Sequence, residues 1–125
     1  MPIRKRSKLI LISEDDPDIS ELLETILESN GYETRVCMDG HETENQAKKL
    51  LPDLIIMDLW LPGIDGTTLT KKLKAKNSTK NIPILIVSAQ NHLEKIVKQT
   101  RADGFLPKPF DLQALLSLVK KHLAK

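Results

Sequence analysis

Cysteine occurs once in the 125 residues, as Cys37. A lone thiol forms no intramolecular disulfide and supplies no CxxC zinc or redox pair, so a reducing, cytoplasmic setting is expected. Long apolar runs are missing too. The basic start of the chain leads into only four consecutive apolar residues, Leu9 to Ile12. A secretory leader needs a longer apolar core and a spanning helix needs about 20 such residues, so neither is expected. Aromatic residues are 3% of the chain, too few for a platform that stacks single-stranded nucleic acid. The histidines, His41, His92 and His122, share no ligand spacing, and none follows a strand-like run. The phosphate loops GxGxxG and GxxxxGKS/T and the hydrolase elbow GxSxG are absent. Charge is nearly balanced, at +2. Its basic groups are Arg4, Lys5, Arg6 and Lys8, then Lys71, Lys72, Lys74, Lys76 and Lys80. They read as a tail and a solvated helix face rather than a nucleic-acid surface.

A chain of this length, 40% hydrophobic and 29% charged, makes one soluble globular domain that buries its core without staples. Residues 1–7 are expected to form a basic tail and residues 8–125 the domain. Strands are expected over 8–13, 32–37, 53–57, 83–87 and 104–107. The unbroken Leu-Ile-Leu-Ile of the first suggests burial on both faces. Asp16 followed by Pro17 is an N-cap and first helical position, and Ile19, Leu22, Leu23, Ile26 and Leu27 follow as an apolar stripe that Asn30-Gly31 ends. A second helix is expected over 40–51 despite a poor stripe, since Glu42, Thr43, Glu44, Asn45 and Gln46 stand in succession. Leu61 to Gly66 is turn chemistry ahead of a helix over 67–76. A helix over 91–101 turns Leu93, Ile96 and Val97 inward. Asp111 caps a last one carrying Leu112, Leu115, Leu116, Val119 and Leu123. Five strand–helix units with right-handed crossovers imply an α/β fold, a doubly wound parallel sheet with helices on both faces.

Four apolar runs lead into residues suited to phosphate chemistry: Glu14 and Asp15, then Asp58, then Ser88, then Lys108. Ligands of parallel sheets bind beyond the carboxyl ends of the strands, so these residues are expected to meet. Asp58 is the candidate nucleophile, because a carboxylate can form an acyl phosphate. A solitary strand-end aspartate would be a turn or cap residue, but here three other strand ends supply partners. Three carboxylates at one point repel unless a cation lies among them, and Mg²⁺ accepts carboxylate and water oxygens together with phosphate. The main-chain carbonyl of Trp60 is a further candidate ligand, and Asp16 is assigned to capping. Ser88 alone reads as a helix cap as readily as a functional hydroxyl. Lys108, set between Pro107 and Pro109, is expected to pair with Asp58 and then with a phosphoryl oxygen. Its bond to Pro109 is a candidate for the cis form. Phe105 reads equally as half-buried packing or as a switching side chain.

The segments that carry these residues are 9–18 (LILISEDDPD), 52–58 (PDLIIMD), 61–66 (LPGIDG), Ser88-Ala89 and 108–110 (KPF). In this order and spacing they resemble the receiver domain of two-component response regulators, of the single-domain chemotaxis-regulator type, over nearly the whole chain. The resemblance implies a flavodoxin-like sheet of five strands in the order 2-1-3-4-5 with five helices. It implies that Asp58 accepts a phosphoryl group from a phosphohistidine on a sensor histidine kinase or a histidine phosphotransfer protein. Glu14 and Asp15 match the acidic pair that holds Mg²⁺, Ser88 the hydroxyl switch residue, Phe105 the aromatic switch position, and Lys108 the lysine of the site. Such a chain is a phosphoacceptor, not an enzyme beyond self-catalysed phosphorylation and dephosphorylation. Its switched face, made by the fourth helix, fifth strand and fifth helix, would bind a downstream protein target, with neither nucleic acid nor membrane as a direct partner. The off-stripe Leu118 suggests a homodimer through the fourth and fifth helices. As the sequence stops at Lys125, just after the last helix, a self-contained signalling domain is expected, the alternative being a piece of a longer protein.

Three features depart from the family pattern. The stretch from Ser88 to Lys108 is about two residues short, the second helix lacks small apolar residues after Asp39-Gly40, and Trp60 sets a bulky side chain where it would slow or redirect water attack on a phosphoaspartate. Two other functions compete. A Mg²⁺-dependent phosphohydrolase would use Asp58 as nucleophile with an acid two residues on, but Trp60 stands there and cannot serve. A degenerate receiver would act as a phosphorylation-independent docking module, yet every phosphorylation residue is present.

Overall fold

The computed structural model describes residues 7–123. Most of the expected basic tail, Arg4, Lys5 and Arg6 included, lies outside the described residues. Strands and helices alternate as β1 (Leu9–Ser13), α1 (Pro17–Ser29), β2 (Glu33–Cys37), α2 (Gly40–Leu50), β3 (Leu54–Met57), α3 (Gly66–Ala75), β4 (Ile84–Ser88), α4 (Leu93–Thr100), β5 (Gly104–Pro107) and α5 (Leu112–Leu123). All pairings are parallel, in the order β2-β1-β3-β4-β5. Five helices flank the sheet, and the expected doubly wound fold is borne out.

The continuous apolar strands follow from a sheet covered on both sides. Ile10, Ile12, Leu54, Ile56, Leu85 and Val87 pack with Leu23, Leu27, Leu115 and Val119 of α1 and α5. Their strand neighbours Leu11, Ile55, Met57 and Ile84 pack on the other face with Ala47, Leu69 and Leu73 of α2 and α3. A smaller cluster of Leu59, Ile86, Leu93 and Ala102 lies under α4, with Phe105 against it. Cys37 is buried in the second of these layers, and burial pushes its thiol up to about 11.

The helix starts are set by aspartates. Asp16 accepts from the N–H groups of Asp18 and Ile19 with Pro17 in the first turn, Asp39 from that of Glu42, and Asp65 from that of Thr68. Helix α4 is shorter than the expected 91–101 because His92 and Arg101, at φ 62° and 65°, bracket it in left-handed backbone that a helix cannot continue through. Two leucines exchange their expected places. Leu22 lies in the α1 stripe but is 47% exposed, whereas the off-stripe Leu118 packs against the core and so loses its force as a sign of dimerisation.

The weak stripe of α2 has a polar explanation. Thr43 and Glu44 are its buried residues beside Gly40 and Ala47. Thr43 Oγ1 is 2.6 Å from Ser13 Oγ, and the Glu44 carboxylate takes Lys48 and Lys72 at 3.2 and 3.3 Å. Hydrogen bonds and ion pairs thus do there what apolar contacts do under the other helices.

A lysine clasp closes the end of the molecule where the strands begin. Lys74 Nζ donates to the carbonyls of Lys80 and Ile82 at 3.3 and 2.8 Å and to Asp103 Oδ2 at 2.6 Å. The same Asp103 oxygen accepts the N–H of Ile84, so α3, β4 and the approach to β5 share one knot. The Lys74 side chain is only 8% exposed. Lys74→Met keeps the stem and removes the charge, leaving Asp103 and two carbonyls short of a donor. We expect a loss of about 2 kcal/mol in urea unfolding, the scale of a hydrogen bond to a charged group, whereas an unchanged midpoint would mean that the clasp carries no net stability.

Candidate functional site

The crevice arises where neighbouring strands send their chains to opposite faces. β1 leads into α1 on one face of the sheet, while β3 leads into α3 on the other. Their carboxyl ends therefore stay uncovered between the two crossovers.

Backbone bonds fix what stands there. The Glu14 N–H donates to the Cys37 carbonyl at 3.0 Å, and the Asp58 N–H donates to the Ser13 carbonyl at 3.0 Å. Glu14 Oε2 accepts from the Asp16 N–H and Asp58 Oδ1 from the Trp60 N–H, each at 3.2 Å. Carboxylate oxygens of Glu14, Asp15 and Asp58 lie within 4.8 Å of one another, with Glu14 and Asp58 buried and Asp15 exposed. Lys108 enters from the end of β5 and donates to Glu14 Oε1 at 2.8 Å and Asp58 Oδ2 at 3.2 Å. The pairing of Lys108 with Asp58 expected from the sequence is present, and Glu14 adds a second, shorter contact. Glu14 is the deeper carboxylate, 3% exposed at the side chain against 8%, and has less water to share its charge.

The remaining expected residues surround this knot. Ser88 is the buried last residue of β4; its Oγ accepts from the Gln90 N–H at 3.2 Å, and its carbonyl accepts the Lys108 N–H at 2.9 Å. The Lys108-Pro109 bond is cis. Phe105 faces Ile86 across the β4–β5 pairing and is half-buried. Trp60 anchors its main chain on Asp58 while its side chain is 60% exposed.

Gly66 was passed over in the sequence as turn chemistry. A Cβ at this position would collide with the Asp58 carbonyl oxygen and crowd Leu59, so the loop after β3 closes back only on a glycine. A glycine directly after the capping Asp65, at the first position of a helix, was the available signal.

The charges do not balance. Three carboxylates face one ammonium, which leaves an excess of two negative charges (3 − 1). Burial is the largest influence on Glu14 and pushes its carboxyl up; the bond from Lys108 opposes this and the Asp58 charge adds to it. Burial also works against the Lys108 ammonium, but its bond to Glu14 and the nearby Asp58 charge outweigh that and raise its pKa. An oxygen-only donor set with a surplus of two negative charges fits a hard divalent cation.

A family model of the response regulator receiver domain matches residues 10–120. The chain belongs to that family. Receiver-domain similarity extends to the DNA-binding dual master transcriptional regulator RpaA of Synechocystis, 37% identical over 118 residues that cover 93% of this chain and 49% of that protein. This receiver thus spans about half the length of the curated relatives it matches. Among solved structures, a Chloroflexus aurantiacus chain assigned to the response regulators superposes with a TM-score of 0.89 at 39% identity, covering 96% of this chain and 100% of that one. The receiver domain of the Pseudomonas aeruginosa sensor histidine kinase PA1611, with magnesium coordinated in its active-site cleft, gives 0.88 at 26% identity and covers 96% and 100%.

A raised Glu14 has a sign that can be tested. The folded protein holds this proton more tightly than the unfolded chain. Stability from it is complete below the ordinary value of 4.5 and is lost as pH rises through the folded value. With a chelator present, Glu14→Gln should therefore unfold at higher urea than the parent at pH 7, and the gap should close as pH falls below the ordinary carboxylate range. A variant weaker than the parent at pH 7 would show that the bond from Lys108 outweighs burial.

Proposed function

We propose that this receiver is a Mg²⁺-dependent phosphoacceptor in which Asp58 takes a phosphoryl group from a phosphohistidine on a sensor histidine kinase or histidine phosphotransfer protein. The observation that carries this reading is the meeting of Glu14, Asp15, Asp58 and Lys108 at one crevice from three strand ends. Glu14, Asp15 and Asp58, with the main-chain carbonyl of Trp60, are the residues that would hold the cation. When bound it neutralises charge on the phosphoryl oxygens. The magnesium in the PA1611 cleft supports this assignment.

The chain's own groups do the rest. A carboxylate oxygen of Asp58 forms the new bond to phosphorus as the bond from phosphorus to the donor imidazole breaks. The imidazole nitrogen keeps the electron pair and is reprotonated from water. Lys108 shifts from the carboxylates toward a phosphoryl oxygen, where its charge counts most as the transition state forms. Ser88 Oγ accepts one bond from Gln90 and still has its own proton to donate to the phosphoryl group. As Ser88 is drawn in, Phe105 turns inward from its half-buried position, and the outer face of α4, β5 and α5 changes for a downstream protein target. This is a shift between two packings of one chain.

An apolar groove beside Lys108, lined by Ile19, Leu22, Ala89, Phe110 and Leu112, gives a donor protein a place to rest within reach of Asp58. No helix among the described residues is long and apolar enough to cross a membrane, and we take the chain to act in the cytoplasm.

Intact mass after incubation with acetyl phosphate and Mg²⁺ tests the reading. One phosphoryl group per chain is expected, absent from Asp58→Asn; equal modification of that variant would sink the assignment. Trp60 gives a second readout. It is the single tryptophan, with its main chain held by the Asp58 carboxylate. Titration of Mg²⁺ should change its emission in the parent and leave Asp58→Asn with a weaker response. A flat titration in the parent would remove Trp60 from the metal shell.

A further inference from the structure

The helices that return from the crevice end at the opposite pole, and the last turns of α2 and α3 are lysine-rich. α2 ends with Lys48 and Lys49, and α3 with Lys72 and Lys74. Part of this charge answers the helix dipoles. More than that gathers at one point. Lys48, Lys72 and Lys76 lie 3.2, 3.3 and 3.7 Å from a single oxygen, Oε2 of Glu44. Glu44 is buried, whereas the three lysine side chains are 41–45% exposed.

One carboxylate cannot neutralise three ammonium groups. Its own burial works against its charge, yet Lys48 and Lys72 together hold its carboxyl below the usual range. Lys48 and Lys76 also touch each other, and that contact holds Lys76 below the usual lysine range and Lys48 above it. All three lysine side chains are open to solvent, so an anion can reach them from that side.

We propose that the α2–α3 face binds condensed phosphate, a linear polyphosphate anion, through Lys48, Lys72 and Lys76. Spacing and chemistry select this class. Ammonium groups that converge on one atom need a ligand with several charges packed close together. Same-face carboxylates of an extended acidic peptide lie about 7 Å apart, too far to serve the three at once. The lysine ammonium is a compact point charge that meets phosphate oxygens from any direction, without the planar match a guanidinium demands. Neither α2 nor α3 carries a Phe, Tyr or Trp, and the one imidazole, His41, stands in the first turn of α2, at the other end of the helix from Lys48, so no ring is at hand to stack a base. The site stands apart from Asp58 and does not depend on its phosphorylation.

Calorimetric titration with tripolyphosphate, in magnesium-free buffer at low salt, tests the proposal on the full chain. Binding is expected in the parent and in Asp58→Asn alike, weakening as salt rises. The double variant Lys48→Gln with Lys76→Gln should lose about tenfold or more in affinity, while Lys120→Gln with Lys121→Gln, on α5, should lose none. Glu44→Gln gives the opposite sign: with the competing carboxylate gone, binding should tighten, an outcome that general loss of structure cannot mimic. No heat in the parent, an equal loss in the α5 pair, or tighter binding of polyglutamate than of tripolyphosphate would overturn the proposal, the last in favour of an acidic protein partner.

Discussion

A single ammonium group holds the carboxyl end of the sheet together. Lys108 Nζ reaches carboxylates that follow two different strands, and its own N–H is fastened to the carbonyl of Ser88 on a third. Without it, two buried carboxylates and an exposed one would face each other with nothing of opposite sign nearer than solvent. With it, the excess falls to two negative charges and stops there. The protein's own groups therefore leave the site tolerable but under-compensated. An incoming cation or phosphoryl group acts on a site that already has reason to rearrange. Lys108 has two carboxylate partners, so it can leave one for a new oxygen without becoming unpaired.

The position of that site is a consequence of how the sheet is covered. Alternate residues of β1, β3 and β4 feed two separate apolar layers, and the crossovers that form those layers diverge between β1 and β3. Burial on both faces accounts for the apolar runs of β1, β3 and β4, and the parallel register of β1 against β3 brings Glu14 and Asp58 to hydrogen-bond distance from one lysine. The close passage of Gly66 under the Asp58 carbonyl adds to this. The loop after β3 leaves the strand, presents Asp58 and Trp60, and returns at once into α3. The same covering sends every helix end to the far pole, where basic last turns collect.

Much of this could be read from the residues. Unbroken apolar runs marked β1, β3 and β4, since only a doubly covered sheet buries both sides of a Leu-Ile-Leu-Ile segment. Asp16 before Pro17 marked the start of α1, because a short carboxylate ahead of a helical run has few other uses; the caps Asp39 and Asp65 of α2 and α3 went unread, the latter taken as turn chemistry. The charged residues after the strands were legible as a set because topology alone brings strand ends together. What escaped depended on three-dimensional partners. That Glu44 would be buried was invisible, since the lysines that make it tolerable lie on another helix. That Lys108 prefers Glu14 follows from relative depth, which spacing does not encode. The length of α4 turned on left-handed backbone at His92 and Arg101, residues with no strong preference for it. Leu22 matched the apolar period but sits where α1 borders an open groove instead of the core.

The short α4 is also where the structure is least satisfied, and this bears on how a change at Asp58 would spread. Its first residue follows a left-handed His92 that offers no side-chain cap, in contrast to the aspartate-capped α1, α2 and α3. Gln90 Oε1, in the same loop, is buried without a hydrogen-bond partner among the described residues. A non-glycine residue in left-handed backbone costs about 1–2 kcal/mol and an unpaired buried acceptor about 1–3 kcal/mol, so the β4–α4 loop starts from a poor local minimum. Only the Gln90 N–H bond to Ser88 Oγ ties its first turn to the strand. A phosphoryl group that takes the Ser88 O–H as a donor would thus draw with it, through the Gln90 bond, the segment that has least to lose by moving. The opposite side of the site, where α1 starts from Asp16 and Pro17 and Gly66 is wedged under Asp58, would stay in place. The direction of any response is therefore set before phosphate arrives, by the unequal quality of the elements around it.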